Sequence, residues 1–130
     1  MINGIDLTNR ELKRLIKEKN MWLATLRNNN QPHLVPLWFL YLNSKIYMCT
    51  AENSTKIRNI KRNSQATVSL EDTFKAFIIE CKAKIISSPF PKDIVEGYGK
   101  KFDWDISSTE NSNVLIELTP IHKIAFNDDK

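Results

Sequence analysis

The sequence predicts a mainly β fold (α+β by element count): an antiparallel β-barrel of six or seven strands with peripheral helices. Residues 76–86 alternate between apolar and polar side chains, which is the period of a strand with one buried face. Asparagine-containing turns at 27–31 and 43–45 separate strand-like runs, as in β-hairpins. The 130 residues fit one domain with its own core, and no repeat or linker divides them.

The first element is a predicted helix that begins after Thr8. Thr8 and Glu11 have the spacing of a capping box, in which each side chain bonds the backbone of the other. The apolar face of this helix is predicted to consist of Leu12, Leu15 and Ile16. We expect the helix to cover the barrel, with its basic face in solvent.

A strand over 21–26 and a strand over 31–42 follow, and the second contains Pro36 in its interior. Because a proline removes one ladder hydrogen bond, this strand must lie at an edge, contain a bulge, or open toward something other than a strand. One alternative is a bulge at a barrel corner with no ligand, since bulges also serve to bend sheets.

The next strand, 45–50, leads into a polar turn and a second predicted helix. Ser54, Thr55 and Lys56 open that helix. Hydroxyl groups, unpaired backbone N–H groups and an ammonium at a helix start together suit a phosphate. The alternative is a simple N-cap followed by a solvated lysine.

The remaining elements are strands at 66–71 and 76–86, a helix of about ten residues after Pro91, and two short strands at 114–118 and 121–126 separated by a bend at Pro120. In the helix after Pro91, the residues predicted to face inward are Ile94, Val95 and Tyr98.

Composition favours an anionic ligand. The formal net charge is +4, and no acidic residue lies between 53 and 63, a stretch that holds four basic residues. Such a balance suits nucleotides and phosphorylated cofactors without requiring nucleic acid. No apolar run approaches a membrane span, and the first ten residues lack a signal-peptide core, so we expect a cytoplasmic protein. Cys49 and Cys81 are expected to be buried free thiols, and no metal site is expected.

Classical catalytic motifs are missing from the sequence. Its only histidines are His33 and His122, no Gly-x-Ser-x-Gly occurs, and three glycines in total exclude glycine-rich phosphate loops. A bound redox cofactor explains this, since the cofactor carries the chemistry and the protein supplies binding and orientation. No catalytic residue can be named.

An ordered series of segments is similar to the pyridoxamine 5′-phosphate oxidase-like family of FMN-binding split β-barrels. The segments are LAT (23–25), PHLVPLWF (32–39), IYMCT (46–50), STKIRNIKRN (54–63) and ATVSL (66–70). The resemblance covers about the first two thirds of the chain. It implies a single FMN-binding split-barrel domain over 1–130 and an FMN-dependent oxidoreductase acting on an unidentified small molecule.

The resemblance also implies a set of cofactor-binding residues. Ser54, Thr55 and Lys56 would hold the phosphate, and Thr50 and the backbone of Cys49 would lie nearer the flavin. The backbone of the strand at Val35, Pro36, Leu37 and Trp38 would meet the flavin ring. His33 stands where an arginine often contacts the phosphate or ring, and Asn59 is a supporting contact on the helix face of Lys56.

Two departures from the family pattern argue against vitamin B6 oxidation. Trp38 replaces a residue that is typically basic in the oxidase itself, and the short C-terminus lacks the Trp-Arg segment that binds pyridoxal phosphate. The resemblance further implies a homodimer with two flavin sites in the subunit interface. Phe102 and Trp104, in a polar stretch, would form either a cross-subunit wall or a core plug.

Three other functions remain open. A reductase using the deazaflavin coenzyme F420 would use the basic residues at 56–62 to bind the anionic polyglutamyl tail. A nucleic-acid-binding β-barrel would stack single-stranded bases on Trp38, Phe39 and Tyr41, although Trp38 and Phe39 point to opposite faces of one strand. A flavin-storage protein would bind FMN without turnover.

Overall fold

A computed structural model describes residues 5–107 and 112–126. In chain order the elements are α1 (Asn9–Lys17), β1 (Asn20–Leu26), β2 (Pro32–Trp38), β3 (Leu40–Leu42), β4 (Lys45–Ala51), α2 (Thr55–Arg62), β5 (Gln65–Leu70), β6 (Phe77–Ile86), α3 (Lys92–Phe102) and β7 (Asn113–Ala125). None of the helices in the described ranges has the length and apolar character needed to cross a membrane.

The described strands form one antiparallel seven-stranded sheet in the order β2-β1-β5-β6-β7-β4-β3. The sheet curls into a half-barrel, which confirms the predicted mainly β, split-barrel fold. Its two edges, β2 and β3, are consecutive in the chain. The strand predicted over 31–42 is therefore divided, because the chain leaves β1 after Trp38 and joins β4 from Leu40 onward.

Two apolar clusters hold the helices on the sheet. The larger contains the inward side chains of β1, β4, β5, β6 and β7 together with Leu15 of α1 and Ile57 and Ile60 of α2. The smaller lies against α3 and contains Ile94 and Tyr98. In β6, Phe77, Ile79, Cys81 and Ala83 are buried and the intervening residues are more exposed, so the predicted alternation is confirmed. Both cysteines are buried free thiols, as predicted.

The capping box of α1 is confirmed, but its predicted buried face is wrong. Thr8 and Glu11 bond each other's backbone N–H groups at 3.1 and 3.0 Å. The buried residues are Leu15 and Glu11, whereas Leu12 lies at the surface and Ile16 is 58% exposed. The reason is the ion pair that the Glu11 carboxylate makes with Lys123 of β7, which draws that side of the helix onto the sheet.

The two C-terminal strands that the sequence predicts are one continuous strand, β7. Strand β7 continues through Pro120, and its register with β6 shifts between Glu80 and Cys81. Pro120 pairs with Cys81 and His122 with Glu80, so Ile121 is the extra residue of a bulge. A bulge leaves ladder positions unpaired, which lets a strand accommodate a proline.

Candidate cofactor site

The residues predicted to bind a cofactor gather where the half-barrel is open. β2 is an edge strand that approaches β4 without pairing with it. β4 ends at Ala51, and α2 begins four residues later at Thr55. The unpaired edge of β2, the end of β4 and the first turn of α2 therefore lie at the open side of the half-barrel, and we call the space beside them the cleft.

The N-terminus of α2 is not capped by a side chain. Ser54 is the N-cap residue, but its hydroxyl donates to the carbonyl of Ala51 at 2.9 Å and bonds no N–H group of the helix. No acidic residue lies in the first turn. The unpaired N–H groups and the positive end of the helix dipole thus remain available to an anion.

Lys56 adds a positive charge to this helix start. Its side chain is half-buried, and burial lowers the pKa of its ammonium. No salt bridge or hydrogen bond is made to it within the described parts of the chain. Thr55, by contrast, accepts a bond of 3.1 Å from Arg58, whose guanidinium also donates to the carbonyl of Asn53 at 2.8 Å.

His33 lies on the opposite wall, near the start of β2 and in register with Thr25 of β1. Its Nδ1 atom is buried and makes no hydrogen bond within the residues that the structure describes. Burial, and then the charges of Arg27 and Lys56, lower the pKa of His33 below its ordinary value of 6.5. This shift favours the neutral form of the imidazole, which lies in the field of two cations.

Asn59, predicted as a supporting contact, is buried and attaches α2 to β1. Its Nδ2 donates to the hydroxyl of Thr25 at 3.0 Å, and its Oδ1 accepts from Arg62 at 3.1 Å. The same Arg62 nitrogen donates to the carbonyl of Leu26 at 2.9 Å. Both ends of the Asn59 amide are thus engaged in bonds that join α2 to the end of β1.

The predicted ring-binding residues of β2 are divided between two faces. Val35 and Leu37 are half-buried on the inner face, whereas Pro36 and Trp38 are exposed on the outer face. Pro36 lies opposite Trp22 on an edge strand, so of the three alternatives for this strand the structure shows the edge position. A planar group in the cleft can reach all four residues only along the backbone edge of β2, because their side chains diverge.

The backbone of Cys49 is partly occupied. Its N–H donates to the hydroxyl of Tyr98 at 3.0 Å, and that hydroxyl donates to the carbonyl of Tyr47 at 3.1 Å. Tyr98 thereby continues the β4 ladder beyond the end of β3, and only the Cys49 carbonyl is left for a ligand. Thr50, the next residue of β4, is half-buried.

Phe102 and Trp104 pack on the smaller apolar cluster beside the exposed end of β2. Trp38 stacks on Phe102 with ring centroids 4.5 Å apart and planes 9° from parallel. Trp104 meets Trp38 edge-on at 6.2 Å. Within one chain these side chains therefore act as a core plug that supports Trp38.

A cavity of about 260 Å³ lies away from the cleft and contains none of the predicted site residues. It is lined by Glu52, Ser87, Ser88, Phe90, Ser112, Asn113 and Val114. The candidate site is instead an open cleft at a sheet edge. A ligand there would lie between β2 and the start of α2, on a side of the half-barrel that one chain leaves open.

The sequence did not reveal the roles of three residues near the cleft: Arg27, Thr25 and Tyr98. For Tyr98 it predicted the inward position but not the bonds to β4. Arg27 precedes a run of asparagines and resembles an ordinary turn residue. Thr25 and Tyr98 act through partners that lie 34 and 49 residues away in the chain. No local pattern signals such contacts.

Comparisons with known proteins agree with this architecture. The family model described as pyridoxamine 5′-phosphate oxidase matches residues 8–124. No protein of curated function matches the sequence.

Three solved structures share the fold at 18% identity. HutZ, a heme storage protein of Vibrio cholerae, has a TM-score of 0.75 and aligns over 90% of this chain and 93% of its own. A candidate pyridoxamine 5′-phosphate oxidase of Listeria innocua has a TM-score of 0.74, with 92% and 97% covered. An F420 reductase has a TM-score of 0.72, with 86% and 94% covered. Similarity at this level of identity establishes the fold alone.

Proposed function

This chain belongs to the pyridoxamine 5′-phosphate oxidase-like split-barrel family, and from that premise we propose that it binds FMN and acts as an oxidoreductase. The substrate is an unidentified small molecule. Vitamin B6 oxidation is not proposed, because a half-exposed tryptophan, Trp38, stands where that enzyme typically has a basic residue.

The uncapped start of α2 carries the proposal. A helix end whose N–H groups are left open is normally completed by a side chain, water or a ligand. Here the adjacent Lys56 is half-buried, and burial disfavours its charged form. No acidic side chain of the described residues compensates that charge. A bound phosphate would both accept hydrogen bonds from the helix N–H groups and neutralise the positive charge of the Lys56 ammonium. Ser54 and Thr55 lie at the same point.

The unpaired backbone edge of β2 is where we propose that the ring system of the flavin binds. Val35, Leu37 and the exposed edge at Pro36 offer apolar contact and unpaired backbone groups across the cleft from Thr50. When bound, the flavin would supply hydride transfer, for which the protein needs few signature residues. The role of the chain is to hold the phosphate, orient the ring and exclude water from one of its faces.

We also propose that the protein is a homodimer. Trp22, Leu34 and Trp38 are 41, 59 and 45% exposed and lie on the outer face of β1 and β2 around Pro36. Exposed apolar side chains that form a continuous strip commonly mark an interface. A second copy on this strip would close the cleft from the side that one chain leaves open.

Coenzyme F420 is the second candidate cofactor. The fold is shared with an F420 reductase, and the exposed residues Arg58, Lys61 and Arg62 make the surface of α2 positive. Two of these three cations, however, are engaged with backbone carbonyls. The nucleic-acid alternative loses its stacking platform, because Phe39 is fully buried.

Titration of the purified protein by FMN, with flavin fluorescence as the signal, tests the proposal. We expect saturable binding at one FMN per chain and weaker binding of riboflavin, which lacks the phosphate. Parallel titrations with F420, hemin and a single-stranded oligonucleotide examine the other functions. Saturation by one of these without FMN binding would overturn the proposal. Reduction of bound FMN by NADH or NADPH would then separate an oxidoreductase from a storage protein.

A further inference from the structure

We propose that Trp38, Phe102 and Trp104 form an aromatic wall beside the cleft, and that this wall binds the substrate through a planar aromatic ring without a negative charge. This substrate class deepens the proposed FMN-dependent function and rests on it for the premise that a substrate enters the cleft.

Helix α3 connects β2 and β4, the two strands that border the cleft. The Tyr98 hydroxyl bonds the Cys49 N–H and the Tyr47 carbonyl, both on β4, at 3.0 and 3.1 Å. Phe102 follows Tyr98 by four residues and therefore lies on the same side of α3. Its ring stacks on Trp38, the last residue of β2. The aromatic wall thus extends from one border of the cleft to the other.

The rings of the aromatic wall are fixed by their neighbours. Trp104 meets the fully buried ring of Tyr98 edge-on, with centroids 5.7 Å apart. The Lys101 ammonium lies 4.1 Å from the centroid of Phe39, the residue after β2, and 5.5 Å from that of Phe102. Rings that are already held in place lose little conformational entropy when a ligand binds.

The indole of Trp38 is only partly covered by the other rings. Phe102 covers one face, with centroids 4.5 Å apart and planes 9° from parallel. Trp104 approaches edge-on at 6.2 Å and 71°, and an edge covers less of a ring than a stacked face does. Trp38 is still 45% exposed. A planar ring in the cleft can therefore stack on it and extend the Phe102–Trp38 pair, the offset-stacked arrangement that aromatic rings favour.

The charges around the aromatic wall argue against an anionic substrate group. None of its three side chains is charged, and the indole N–H groups are its only polar atoms. The exposed carboxylates of Asp103 and Asp105 flank Trp104 in the chain. They would repel a phosphate or carboxylate. The basic residue Lys56 lies at the start of α2, where we place the cofactor phosphate.

Calorimetric titration of the FMN-loaded protein with 2-naphthol tests the aromatic wall. Decahydro-2-naphthol, which has the same skeleton without planar rings, and 2-naphthoate, which adds a negative charge, are the comparison ligands. We expect 2-naphthol to bind more tightly than either. Trp38→Leu should weaken 2-naphthol binding about fivefold or more through loss of the stacked pair, and Trp38→Phe should restore part of it. Phe74→Leu, in the exposed turn between β5 and β6, should behave as the wild type.

Thermal melting checks that each variant is folded. Equal 2-naphthol affinity in Trp38→Leu and wild type would overturn the inference. Absence of 2-naphthol binding would also overturn it, because the second copy of the proposed dimer would then cover the indole. If Trp38→Leu weakens FMN binding more than 2-naphthol binding, the aromatic wall holds the flavin instead, and the substrate assignment fails.

Titration of the protein without FMN separates this inference from the FMN proposal. If FMN does not bind but 2-naphthol binds in a Trp38-dependent way, the FMN proposal fails and the aromatic wall stands as a ring-binding site. If FMN binds and 2-naphthol does not, the FMN proposal stands and the aromatic wall fails.

Discussion

At the scale of single residues, burial and contact decide which polar groups are available to a ligand. Lys56 and the first N–H groups of α2 have no partner among the described residues, whereas the amide of Asn59 is bonded inside the protein through both its nitrogen and its oxygen. The sequence names the residue types at the helix start, because a Ser-Thr-Lys run before apolar residues at helical spacing is local. It does not reveal that Ser54 bonds Ala51 instead of capping the helix.

Lys56→Ala should lower FMN affinity by about 1.5 to 3 kcal/mol, the range for a hydrogen bond to a charged group. The measurement is an FMN titration at fixed ionic strength. Lys61→Ala is the matched control, because Lys61 lies on the same helix but on its exposed face. An equal loss in both variants would point to general electrostatic attraction and against a specific phosphate contact.

His33 should make folding stability depend on pH. Its pKa in the folded protein lies below 6.5, so the unfolded chain binds the proton more readily. This contribution to stability is present above pH 6.5 and is lost as pH falls toward the folded-state pKa. Denaturant unfolding between pH 7 and pH 5 should show a decline that His33→Gln reduces.

Bound phosphate should act on His33 in the opposite direction. A nearby anion favours the imidazolium, so FMN should raise the pKa of His33 and bind more tightly as pH decreases through the titration. NMR titration of the two histidines with and without FMN measures this. His122, exposed beside Glu80, serves as the internal reference. A His33 pKa that FMN does not change would place the phosphate elsewhere.

At the scale of elements, the two helices before β5 differ at their N-termini. α1 has a reciprocal capping box and an ion pair to β7, both of which serve stability. α2 lacks a side-chain cap but is attached to β1 by buried bonds farther along the helix. The hydrogen bonds that hold α2 thus come from the residues after its first turn, and its N-terminal N–H groups have no side-chain partner.

Substitution of the two N-cap residues should show this difference. Thr8→Ala should lower the free energy of unfolding by about 1 kcal/mol, as is typical for loss of an N-cap. Ser54→Ala should cost less, because the Ser54 hydroxyl bonds an exposed carbonyl and caps no N–H group. Urea unfolding of both variants measures the difference. A larger cost for Ser54→Ala would mean that this hydroxyl does cap α2 in solution.

Tyr98 should couple α3 to β4. Its hydroxyl accepts from Cys49 and donates to Tyr47, so Tyr98→Phe leaves two buried backbone groups without their partner. The expected cost is about 1 to 3 kcal/mol of unfolding free energy, measured by urea denaturation. Tyr41→Phe, at a half-buried position, is the control. A loss no greater than that of the control would show that water replaces the hydroxyl.

At the scale of the whole molecule, curling of the sheet brings together parts of the chain that are distant in sequence. The strands β2 and β3 are neighbours in the chain but lie at opposite edges of the sheet. The opening between β2 and β4 places His33 across from α2. The outer face of β1 and β2 keeps an apolar strip in solvent, which is unusual for an isolated monomer and underlies the proposed homodimer.

Trp22→Asp should convert the protein from dimer to monomer in sedimentation experiments, because it places a charge at the centre of the strip. Ile16→Asp is the control, since Ile16 is 58% exposed on α1, outside the strip. FMN affinity should fall with Trp22→Asp if the partner subunit closes the cleft. If Trp22→Asp dissociates the dimer no more than Ile16→Asp does, the interface is not formed by this strip.

The sequence by itself determined the fold class, the alternation of β6, the two hairpin turns and the start of α2. Each of these depends on periodicity or on residues that are close in the chain. Only the tertiary structure decided that Glu11 rather than Ile16 is buried, that β7 continues through Pro120, and that Asn59 holds α2. These outcomes depend on pairings between residues far apart in sequence, where packing and buried hydrogen bonds outweigh local preference.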